Sequence, residues 1–105
     1  MVSSSGILFE LETVSGDSVI SSIPVGLQPY AITLNSDTGN IYVANSGSDN
    51  VVVIDGSTNT VVGEPIPVGD GPIALAYNSH NHYLYVANAN EKTVGVIDTT
   101  SGSMV

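Results

Sequence analysis

The sequence repeats itself at a fixed interval. Ile23-Pro24-Val25-Gly26 returns as Ile66-Pro67-Val68-Gly69 and Pro29 as Pro72. Tyr42-Val43-Ala44-Asn45 returns as Tyr85-Val86-Ala87-Asn88, and Val53-Ile54-Asp55 as Val96-Ile97-Asp98, every pair 43 positions apart. A spacing held over four landmarks without slippage is an internal repeat. Such a chain builds one supersecondary unit per period and buries each unit against its neighbours. A period in the low forties with several short strands per unit is the pattern of a propeller blade, and the chain holds about 2.4 of them.

Local signals agree with an all-β reading. Apolar residues come in short β-branched runs, and Gly, Asn, Asp, Ser or Pro interrupts them at intervals of about 8–12 residues. This predicts strands at about 7–12, 17–23, 30–34, 40–45, 51–55, 60–66, 73–77, 83–88 and 93–98, with a tenth starting near Ser103. Pro29 and Pro72 cannot donate to a ladder and are placed where a strand starts. Gly26 and Gly69 are expected to supply positive φ for the turn before each proline. The runs Tyr30–Leu34 and Ile73–Tyr77 are small and apolar, as the crowded innermost strand of a blade requires. Asn35–Asn40 and Asn78–His82 read as hairpin turns whose Asn and Asp side chains bond nearby backbone.

Lettering a blade's strands A to D from the axis outward gives one partial β-propeller domain, 1–105. Residues 7–23 are the C and D strands of a half-blade, 24–66 a full blade and 67–105 a nearly full one. In the half-blade, Glu10 and Glu12 alternate with Phe9 and Leu11 and mark a solvent face. Blades bury their faces against one another, so an open stack leaves two apolar faces in water. Two arrangements would cover them. The chain is a piece of a longer propeller, or copies join head to tail, since heterologous contacts that close make rings.

Composition excludes several functions. Ten acidic residues face a single basic one, Lys92, for a net charge of −9. That charge repels phosphate backbones and anionic lipid, so no nucleic-acid partner is expected. No apolar run reaches the roughly 18 residues of a membrane helix, so no membrane span is expected. The first residues lack a basic and then apolar leader pattern, so no signal peptide is expected in this chain. There is no cysteine, which excludes disulfides and thiolate metal sites. No glycine-rich phosphate loop with a lysine and no G-x-S-x-G elbow is present, so no catalytic residue is assigned.

Two constellations carry potential chemistry. His80-x-His82 has ligand-like spacing. In a strand both imidazoles would share a face and reach one metal, with a third ligand from Asp37, Glu91 or another subunit. The plainer reading is a polar hairpin turn with solvated histidines. Asp55 and Asp98 each open a Ser/Thr/Gly turn, where an Asx-turn role competes with a Ca²⁺ ligand role. Beyond these, the repeats differ most in their D–A and B–C loops. Leu27-Gln28 becomes Asp70-Gly71, and Ser46–Asp49 becomes Ala89–Lys92. A constant frame with variable loops is the pattern of a binding scaffold. Gln28, Asp49, Asp70 and Glu91 are therefore the candidate ligand-face residues, and the three acids favour cationic ligands.

The pattern I-P-V-G-x-x-P, Y-V-A-N, V-x-V-I-D at this period resembles the YVTN family of β-propeller repeats, over essentially all of residues 7–105. His80-Asn81-His82 departs from the family's turn, which Asp37-Thr38-Gly39 keeps. The resemblance implies a ring of blades in an exported or surface-layer protein, extracellular or at the cell surface. The leading expectation is a non-enzymatic structural or binding scaffold without a required cofactor, associating with itself or with other propeller chains and taking protein or carbohydrate ligands. The competing expectation is a metal- or cofactor-binding propeller, or an enzyme subunit, with its site near the ring axis.

Overall fold

The computed structural model describes residues 18–105, and within them every regular element is a strand. The first sheet runs β1 (Pro29–Leu34), β2 (Asn40–Asn45), β3 (Asn50–Asp55) and β4 (Thr60–Pro67). The second runs β5 (Pro72–Asn78), β6 (Tyr83–Asn88), β7 (Thr93–Asp98) and β8 (Ser103–Met104). Each sheet is four-stranded and antiparallel, its strands in sequence order. This is the all-β, blade-like architecture expected of the repeat, with β1 and β5 as the innermost strands. Of the expected half-blade, only residues 18–23 are described. Its strand at 7–12, with Glu10 and Glu12, lies outside the described residues. Residues 18–23, expected in a strand, form none. Ile23 matches Ile66 of β4, but no neighbouring ladder among the described residues pairs with this segment.

The repeat is visible in the backbone itself. Pro29 and Pro72 each begin their strand, and the register slips immediately afterwards in both sheets, between Pro29 and Ala31 and between Pro72 and Ala74. Left-handed residues also recur 43 apart: Gln28 with Gly71, Gly39 with His82, Asp49 with Lys92, and Asn59 with Gly102. Turn geometry is therefore kept even where glycine has been replaced.

Gly26 and Gly69 do not supply the positive φ expected of them. Gln28 (φ 52°) and Gly71 (φ 69°), one residue before each proline, do so instead. The two glycines are needed for space. A Cβ on Gly26 would lie 2.7 Å from Nδ2 of Asn45, and one on Gly69 would lie 2.8 Å from Cγ of Asn88. Both asparagines, the last letters of the Y-V-A-N words, are buried.

The core lies between the two sheets. Tyr42, Ala44 and Val51 of the first sheet meet Leu84, Val86 and Ile97 of the second, with Ile66 closing one side. These residues alternate along their strands, because only every second side chain points to a given face. Inner strands touch most closely, β5 lying against both β1 and β2.

Candidate functional site

The D–A and B–C loops of each repeat are zipped together by the same pair of backbone bonds. Ser46 N donates to Gln28 O (2.8 Å) and Gly47 N to Leu27 O (3.0 Å). One period later Ala89 N donates to Gly71 O (3.0 Å) and Asn90 N to Asp70 O (3.2 Å). Beneath this zipper Asn45 Nδ2 donates to Asn50 Oδ1 (2.9 Å) and to Val25 O (3.4 Å), anchoring the loop to the blade. Asn88 Nδ2 donates to Thr93 Oγ1 (3.4 Å). Oδ1 of both asparagines is buried without a hydrogen bond.

On this frame the side chains diverge. In the first repeat Leu27 N donates to Ser48 Oγ (2.8 Å). In the second Asn90 Nδ2 donates to Asp70 Oδ1 (3.1 Å), and Thr93 Oγ1 to Glu91 Oε1 (3.4 Å). Asp49 reaches from one repeat towards the next, its Oδ1 accepting from Gly71 N (2.9 Å). The structure thus brings Gln28, Asp49, Asp70 and Glu91 to loops along one rim. The three carboxylates are held in separate hydrogen bonds, and among the described residues no group of three or more His, Cys, Asp or Glu is disposed to hold a metal.

His80 and His82 lie in the turn between β5 and β6, so the shared face that a strand would give them is absent. His80 N donates to Asn78 Oδ1 (2.9 Å), and His82, at φ 63°, closes the hairpin through its N–H to Asn78 O (2.8 Å). The asparagine-driven turn outcompetes strand extension here. His82 does find Asp37, the third ligand proposed from the sequence. Its Nδ1 is 3.3 Å from Asp37 Oδ2 and 3.1 Å from Tyr77 Oη. Tyr77 Oη donates to the same carboxylate oxygen at 2.6 Å. Partial desolvation, and then this bond to Asp37, push the Tyr77 phenol above its ordinary value.

This triangle joins the first blade's hairpin to the second blade. Sequence reading missed Tyr77. The available signal was a departure from the repeat, since Leu34 occupies the equivalent position in the first blade and His80 replaces Asp37 in the second.

Asp55 and Asp98 are turn formers. Asp55 Oδ1 accepts from Ser57 Oγ (2.7 Å) and Ser57 N (2.8 Å), and Asp98 Oδ1 from Thr100 Oγ1 (2.6 Å) and Thr100 N (3.0 Å). The hydroxyl bond first and the backbone bond second hold each carboxyl below its ordinary value. Where the blades splay outward, a cleft of about 330 Å³ opens between them, lined by Tyr42, Val53, Ile66 and Ile97 and rimmed by Glu64 and Thr100.

No family model matches the chain, and no curated protein matches it. Among solved structures it is similar to Kuenenia stuttgartiensis hydrazine synthase, at 27% identity and a TM-score of 0.68. The match covers 90% of this chain and 26% of the other, so the chain spans about a quarter of that structure's length.

Proposed function

We propose that this chain is a non-enzymatic β-propeller repeat module of the YVTN type. In this reading it is a scaffold in an extracellular or cell-surface protein, completed by association with further blades, its own copies first among them. Its rim loops take a protein or carbohydrate ligand. One observation carries the reading: the two repeats keep the same loop zipper while changing the side chains displayed on it. A backbone frame that tolerates exchange of its side chains lets recognition vary without loss of fold. Asp49, Asp70 and Glu91 favour a cationic ligand, such as a lysine-rich peptide.

Titrating the protein with a lysine-rich peptide tests this. Salt-sensitive binding, weakened in Glu91→Gln and Asp70→Asn, is the expected result. No binding by that peptide, by neutral peptides or by a glycan panel would end the scaffold reading.

A second reading, a metal- or cofactor-binding propeller or an enzyme subunit, is favoured by the convergence of His82, Asp37 and Tyr77 and by the likeness to a synthase. Elemental analysis decides it. A stoichiometric transition metal that is lost in His82→Ala would replace the scaffold reading with this one.

A further inference from the structure

The 43-residue register matches each position of β1–β3 with one of β5–β7, so the contact between the sheets can be compared with the faces exposed on either side. On the first sheet, Ala31, Thr33, Tyr42, Ala44 and Val51 face the second sheet and are buried or half-buried. Their equivalents Ala74, Ala76, Tyr85, Ala87 and Val94 occupy the same face of the second sheet and look outward. Val51 is 0% exposed and Val94 63%. On the opposite side, Leu75 and Tyr77 of β5 pack against the core shared with the first sheet, with Ile73 beside them 41% exposed. Among the described residues, the equivalents Leu34, Ile32 and Tyr30 of β1 have no such neighbour and are 56%, 69% and 68% exposed. The opening is confined to the innermost strand, because Val43, Val52 and Ile54 on the same side are buried. The face of β5–β7 thus repeats the Ala31, Thr33, Tyr42, Ala44 and Val51 part of the internal socket, and β1 repeats the β5 part of the ridge that fills it.

We infer that β1 of one chain seats on β5 and β6 of a second copy of this chain, repeating between copies the contact that β5 makes with β1 and β2 within the chain. The inference rests on the scaffold reading and specifies its partner surface. Apolar side chains matched on both faces supply the driving force. The contact is heterologous, so each copy keeps one free face for the next. Two side-chain contacts do not carry over. Asp49, whose carboxylate accepts from Gly71 N across the repeats, becomes Lys92. Asp37 and Tyr77, which hydrogen-bond across the internal junction, become His80 and Leu34 at the junction between copies. That junction lacks their bond.

Sedimentation of the full chain at rising concentration, with two face variants, tests the assignment. The wild type should form species at integer multiples of 10.8 kDa. Ala76→Arg blocks the socket and Ile32→Asp blocks the ridge, both at exposed positions. Each should be monomeric with unchanged far-UV circular dichroism. An equal mixture should give a heterodimer and nothing larger, because it offers one good ridge and one good socket. Leu34→Tyr combined with His80→Asp transplants the internal hydrogen bond and should tighten association by roughly three- to tenfold.

A wild type that stays monomeric at about 1 mM and unfolds cooperatively would overturn the inference, as would a monomeric mixture. Variants that associate as the wild type does would show that copies join elsewhere, ending this assignment while leaving the scaffold reading intact. Copies that join as stated while the rim binds nothing would do the reverse.

Discussion

At the scale of single residues, the chain is constrained where backbone and side chain compete for the same space. Gly69 lies under buried Asn88 and beside Glu91 Oε1, 2.6 Å from where a Cβ would be. Gly69→Ala should therefore cost about 1–3 kcal/mol through overpacking, read as a lower urea midpoint at unchanged slope. Gly26→Ala should behave alike against Asn45. Acid response belongs to this scale as well. The carboxyls of Asp55 and Asp98 are held low in the folded chain by the hydroxyls of Ser57 and Thr100. As pH falls, the unfolded chain binds these protons first. Their contribution is complete above the ordinary carboxylate value of about 3.9 and is lost as pH drops through the lower folded values. Asp55→Ala combined with Asp98→Ala should flatten the acid limb of a stability-versus-pH curve. An unchanged limb would show that other groups control it.

At the scale of elements, the Asp37–Tyr77–His82 triangle is a side-chain tie between the first hairpin and β5. Tyr77→Phe keeps the ring in the core and removes the donor, so the thermal midpoint should fall modestly with no change in secondary structure. Because folding raises the Tyr77 value, its contribution is complete below the unfolded value of about 10 and fades as pH rises beyond it. The alkaline loss should be smaller in Tyr77→Phe.

Much of the element scale could be read from sequence. Proline at strand starts and Asn-led turns act locally, so their residues announce them. The triangle could not be read, because it joins positions 40 apart through a tyrosine on which the repeat is silent. The strand expected at 17–23 failed over residues 18–23 for a related reason. A short β-branched run shows a segment's readiness to pair but not the presence of a partner. The histidine pair was legible as the plainer of its two readings, a hairpin turn, because spacing is informative only once the element is known and Asn78 turns the chain there.

At the scale of the whole molecule, the described residues form two blades with one filled interface between them, and a stack of copies would have parts that differ in strength. The internal junction holds the apolar contact, the contacts of Asp37 with Tyr77 and His82, the Asp49–Gly71 bond and the covalent link through Val68–Gly71. A junction between copies would hold only the first. Dilution or mild urea should then separate chains before any chain unfolds, giving a fall in mass that precedes the loss of circular dichroism. Simultaneous loss would mean that the two junctions are equally strong. The single phenol–carboxylate bond between blades thus has a mechanical meaning. Pulled along its length, a line of such chains would part at regular intervals and reseal, each piece emerging intact, as perforated sheet tears at its perforations.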